Sequence, residues 1–128
     1  MTNAEFKIML ENRTVAFSVS VIKMLRDIPV KSESRNIRDQ LFRSATAIGA
    51  NYREANRAES TADFGHKLSI CAKEASETEY WLLLLNELYP NTEGLAEILT
   101  ESTQLTRLLG KSAKTAHGCS FTPCVFNP

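Results

Sequence analysis

A chain of 128 residues suffices for one hydrophobic core and is short for two. Its 15 basic and 15 acidic residues cancel, and 43% hydrophobic with 23% charged residues is a globular composition, which excludes default disorder and any global attraction to nucleic acid or anionic membrane. Glu5, Lys7, Glu11, Arg13 and Lys23 interrupt the early apolar run, so no signal-peptide core or membrane span is expected and the reading is cytoplasmic.

The first periodic segment, about Asn3 to Ile28, sets Phe6, Leu10, Phe17, Val21, Met24 and Ile28 at helical spacing with one gap at Arg13, and Pro29 ends it. The second, about Ser34 to Ala58, carries Ile37, Leu41, Ala45, Ile48, Tyr52 and Ala55, a narrow stripe of small residues that lets a neighbouring helix come close. Ser60 and Asp63 form a helix start, because the serine oxygen accepts a free backbone N–H and the carboxylate favours the positive helix end. The third helix then runs through Phe64, Leu68, Cys71, Ala75, Thr78, Leu82, Leu85 and Tyr89 at alternating steps of four and three, the period of left-handed helix packing. Asn91 or Thr92 is expected to cap a fourth helix bearing Leu95, Ile98, Leu105, Leu108 and Leu109 and ending near Thr115. Short connections make consecutive helices antiparallel, so the expected fold is all-α, an up-down four-helix bundle over 1–116 with a flexible tail over 117–128.

Two constellations stand outside the core pattern. On the second helix Arg35, Arg38, Arg43, Arg53 and Arg57 fall within an arc of about 140°, a ridge that tracks phosphates if free and a solvated face if paired with the interleaved Asp39, Glu54 and Glu59. On the third helix Lys67, Ile70, Glu74, Glu77, Trp81, Leu84 and Leu88 form a second stripe beside the main seam. It is too apolar for an outer face, and its carboxylates require partners, either Arg43 or basic residues of another subunit. The stripe is read as a subunit interface; the competing reading is that the bundle itself covers this helix on two sides.

No catalytic motif, phosphate loop or matched nucleophile and base is present. Glu74 and Glu77 lack the Glu-x-x-His partners of a di-iron bundle, and His66 follows no such pattern. His117, Cys119 and Cys124 in a tail are weak grounds for a metal, so no cofactor or metal is expected, and Cys71 within a helical pattern fits a reducing compartment. Asn51, Ser44 and Gln40 share a polar line that fixes helix register.

The run Gln40-Leu-Phe-Arg-Ser-Ala-Thr-Ala-Ile-Gly-Ala-Asn-Tyr-Arg-Glu-Ala55, with Asp63-Phe-Gly-His-Lys-Leu-Ser-Ile-Cys-Ala-Lys-Glu-Ala-Ser-Glu-Thr-Glu-Tyr-Trp81, closely resembles the four-helix bundle family of 23S ribosomal RNA intervening-sequence proteins. The resemblance spans about residues 6 to 116. It implies a homo-oligomeric ring, commonly a pentamer, with no established enzymatic activity. It also implies a relation to accessory proteins of diversity-generating retroelements, hence RNA, DNA or a reverse transcriptase as partner; those relatives are strongly basic, and this chain is neutral. Carried over by position, the family's polar signature is Arg43, Asn51, Glu54, Lys67, Glu74 and Glu77. Ala45 and Ala47 stand for the usual glycine and serine. Gly65 replaces a bulky apolar residue, a change expected to loosen the third helix by about 1 kcal/mol relative to alanine. Two functional expectations follow: a non-enzymatic self-assembling scaffold or binding module whose subunits are held together by the Trp81 stripe and the signature polar residues Arg43, Asn51, Glu54, Lys67, Glu74 and Glu77, and a nucleic-acid-binding accessory protein using Arg35, Arg38, Arg53 and Arg57.

Overall fold

Each helix starts where a side chain or a turn takes up free N–H groups of the first turn. In the computed structural model, which describes residues 1–117, Thr2 caps α1 (Asn3–Leu25) by accepting from the Glu5 N–H at 3.1 Å, and Ser60 caps α3 (Thr61–Leu88) by accepting from Asp63 at 3.0 Å. The second helix, α2 (Ser32–Asn56), begins two residues earlier than its spacing suggests, because Ser34 reaches back to accept from the Lys31 N–H at 2.9 Å. In α4 (Leu95–His117) the expected caps are not used: Thr92 donates to the Tyr89 carbonyl at 2.8 Å in a turn, and the chain enters the helix through Gly94 at φ +83°, a left-handed conformation that glycine adopts without strain.

The helix ends also differ from the reading by spacing. α1 stops at Leu25, before Pro29, because residues 26–28 tighten into bonds to carbonyls three residues back and Arg38 donates to the carbonyls of Leu25 and, at 3.0 Å, Ile28. His117, expected to open the tail, is still helical and is the last described residue of α4: its ring lies 2.8 Å from the Ser69 hydroxyl and packs where a Cβ on Gly65 would stand 3.2 Å from its Cε1. Gly65 thus makes room for the end of α4. The remainder of the expected tail, with Cys119 and Cys124, lies outside the described residues.

Cross-helix pairs fix an antiparallel register. Between α1 and α2 they are Glu11 with Asn56 and Ser18 with Ala45; between α2 and α3, Ser44 with Thr78 and Ile48 with Cys71; between α3 and α4, Glu79 with Thr103 and Ser69 with His117. Arg13 closes the ring by gripping Glu101 at 2.6 and 2.7 Å. Packing joins α1 to α2, α2 to α3, α3 to α4 and, most sparsely, α4 to α1, so α1 and α3 occupy opposite corners of an all-α bundle.

The predicted apolar stripes line one core, in which Leu10, Leu41, Ala45, Cys71, Leu82, Leu85 and Leu105 are wholly buried. The gap in the α1 stripe is filled by Thr14, which hides its hydroxyl by donating to the Glu11 carbonyl at 2.9 Å. Gly49 faces it across the seam, where a Cβ would lie 2.9 Å from Thr14 Oγ1; this is the close approach that the small α2 stripe allows. Among the described residues no helix is long and apolar enough to cross a membrane.

Candidate subunit interface

The second stripe of α3 lies on the side of the helix that faces α2, between the buried seam and open solvent. Lys67, Ile70, Glu74, Glu77, Trp81 and Leu84 are each half-buried, and Leu88 is 45% exposed. The bundle therefore covers one edge of this stripe and leaves the other bare.

Arg43 of α2 supplies the partner that the two carboxylates require. Its guanidinium donates to both Glu74 oxygens at 3.2 Å and to Glu77 Oε2 at 2.5 Å, while the Trp81 indole N–H donates to the same Glu77 oxygen at 3.0 Å. The Trp81 hydrogen bond, and then that of Arg43, hold the Glu77 carboxyl below its ordinary range; Glu77 and then Glu74 raise Arg43. Shared between two donors, Glu77 fixes the indole in place. Tyr80 meets Trp81 edge-on with ring centroids 5.1 Å apart and is 56% exposed. Tyr80, Trp81, Leu84 and Leu88 so form an apolar surface held from behind by charge-assisted hydrogen bonds.

The other signature residues do not join this cluster. Lys67 pairs with Asp63 one turn back at 3.2 Å, Asn51 donates to the Ala47 carbonyl of its own helix at 2.8 Å, and Glu54 is exposed with no ion pair among the described residues. Of the polar line on α2, Ser44 alone reaches across, 2.9 Å from the buried Thr78 hydroxyl.

The arginine ridge divides. Arg38 serves the C-terminus of α1, Arg43 serves the α3 carboxylates, and Arg53 and Arg57 share Glu11 at 3.3 and 3.6 Å. Among the described residues, Arg35 alone of them is both exposed and without an acidic partner. Spacing put these residues on one side, but a guanidinium reaches a full turn, and carboxylates of α1 and α3 invisible to a single-helix reading claim the forks.

Sequence reasoning also missed a second apolar surface. Ile8, Val15 and Val19, at steps of seven and four, are 62%, 47% and 43% exposed on the outward side of α1. Their spacing was legible, but the core stripe of the same helix drew attention from it. Among the described residues, no three His, Cys, Asp or Glu side chains come together as a metal site requires.

Comparison with known proteins points one way. The family model described as 23S rRNA-intervening sequence protein matches residues 7–111. A crystal structure of a protein of unknown function from the S23 ribosomal protein family of Bacteroides thetaiotaomicron VPI-5482 is similar at 37% identity and a TM-score of 0.72, covering 81% of this chain and 97% of that one. No curated protein matches.

Proposed function

The chain belongs to the 23S rRNA-intervening sequence protein family, and from that premise we propose that it is a non-enzymatic scaffold or binding module that assembles with itself into a ring, joined through the Trp81 surface of α3. One observation carries this reading: among the described residues most of the exposed large apolar side chains fall on two helices at opposite corners, Tyr80, Leu83 and Leu88 on α3 and Ile8, Val15 and Val19 on α1, with Phe42 of α2 and Val30 outside both groups. Surfaces of this kind on an otherwise charged protein mark interaction sites. Two different patches on opposed sides favour a head-to-tail contact, which closes into a ring, over a two-fold contact of one patch with itself. The family resemblance suggests five subunits.

In this reading the Arg43–Glu74–Glu77 cluster braces the indole within each subunit and does not bridge between them. The full chain should elute, with light-scattering detection, at a multiple of its 14.3 kDa mass, five-fold for a pentamer. Trp81→Ala should shift that mass downward, and an unchanged mass would reject the assignment of this surface. The nucleic-acid reading has less support, since Arg38, Arg53 and Arg57 are engaged within the subunit.

A further inference from the structure

At the end of the bundle where α1 and α3 begin and α2 and α4 finish, the helices do not close. A cavity of about 460 Å³ opens there, floored by Tyr52 and Leu68 and walled by Phe6, Phe64 and Leu108. Tyr52 and Leu68 are buried, but Phe6, Phe64 and Leu108 are only partly so, and their apolar surface faces this space. The gap lies where α4 meets α1, the least packed seam of the bundle. Its volume falls within the range of small-molecule sites.

The mouth has a sign. Lys7 and Lys111 both line it, neither is in an ion pair among the described residues, and no Asp or Glu lines it, Glu59 standing in the adjoining groove that shares Lys7 and Phe64. The Lys7 ammonium sits 5.2 Å from the centroid of the Phe64 ring, held above the apolar wall. Thr115, on the same rim, has no hydroxyl partner among the described residues, whereas the Ser112 hydroxyl is spent on the Leu108 carbonyl at 2.9 Å. A cation would be repelled here, and a purely apolar ligand would strip water from two ammonium groups with nothing in return.

We propose that this open end of the bundle binds a small amphipathic carboxylate, its apolar body against Phe6, Phe64 and Leu108 and its carboxylate at the ammonium groups of Lys7 and Lys111. The ion pairs are charge-assisted hydrogen bonds beside an apolar wall, where screening is weaker than on open surface. This site lies at the other end of α3 from the Trp81 surface, and its Lys7 adjoins Ile8 of the α1 surface in sequence.

The test is calorimetric titration of the full chain with decanoate, and separately with decanol as a neutral counterpart. Decanoate should bind saturably, once per chain, and more tightly than decanol. Lys7→Gln with Lys111→Gln should weaken decanoate about tenfold and leave decanol unchanged, with the helical circular dichroism of the wild type. Thr115→Trp, at an exposed rim position, should block both ligands. Absence of saturable decanoate binding, equal affinity for decanol, or indifference to the paired lysine substitution would each overturn the proposal.

Discussion

Glu77 of α3 accepts at once from Trp81 of its own helix and from Arg43 of α2. Its ionised form is favoured by folding, so the stability it supplies is complete above the ordinary carboxylate range and is lost as pH falls through its lowered folded value. Urea unfolding across an acid pH series should show a shallower acid limb for Glu77→Gln than for the wild type; identical limbs would mean the pairing is immaterial in solution. Cys71 presents the opposite case, a thiol wholly buried and pushed up to about 12 by that burial. In a Cys119→Ser, Cys124→Ser background it should resist an aromatic disulfide reagent until the chain is unfolded, and fast labelling of the native protein would show that the core opens there. The burial of Cys71 was legible from its place in the α3 seam. The role of Thr14 was not, because a threonine breaks an apolar count even when its hydroxyl is satisfied by its own helix.

The same limit recurs among whole helices. Four segments, their core faces and the Ser60 cap follow from periodicity and cap chemistry, which are local. The end of α1 is set by a partner far along the chain, Arg38 on the carbonyls that finish it, and the last described turn of α4 is held by His117 over Gly65; no local signal announces either. Two substitutions test this view. Arg38→Ala should lower unfolding stability by about 1 to 3 kcal/mol, because buried carbonyls lose a charged donor, whereas Arg35→Ala should fall within about 0.5 kcal/mol of wild type. Equal effects would restore the uniform ridge. Gly49→Ala should destabilise by about 1 to 3 kcal/mol despite alanine's better helix propensity, since its Cβ meets Thr14 Oγ1 at 2.9 Å. Combining it with Thr14→Ala should recover part of that loss, and strict additivity in the cycle would mean that the two sites do not touch.

For the molecule as a whole, the Trp81 stripe was visible in the sequence as a second apolar line, and its brace by Arg43 was one of two partners the sequence left open. What a single helix could not reveal is that α1 carries a second bare apolar surface at the opposite corner, because that relation exists only once the bundle is built. Under the proposed function those two surfaces together set the head-to-tail contact. Replacing Arg35 should then leave the assembled mass unaltered, as read by light scattering, because it stands on α2 outside both surfaces, whereas Arg53 and Arg57 pair with Glu11 between Ile8 and Val15 of α1. The sharpest test is sedimentation velocity on two chains, each blocked on one side: Val15→Glu with Val19→Glu, and Tyr80→Glu with Leu88→Glu. Head-to-tail assembly predicts that each sediments alone as a monomer and that their mixture sediments faster, as a dimer through the one intact contact. A mixture no faster than its components, or either variant keeping the wild-type mass, would contradict it.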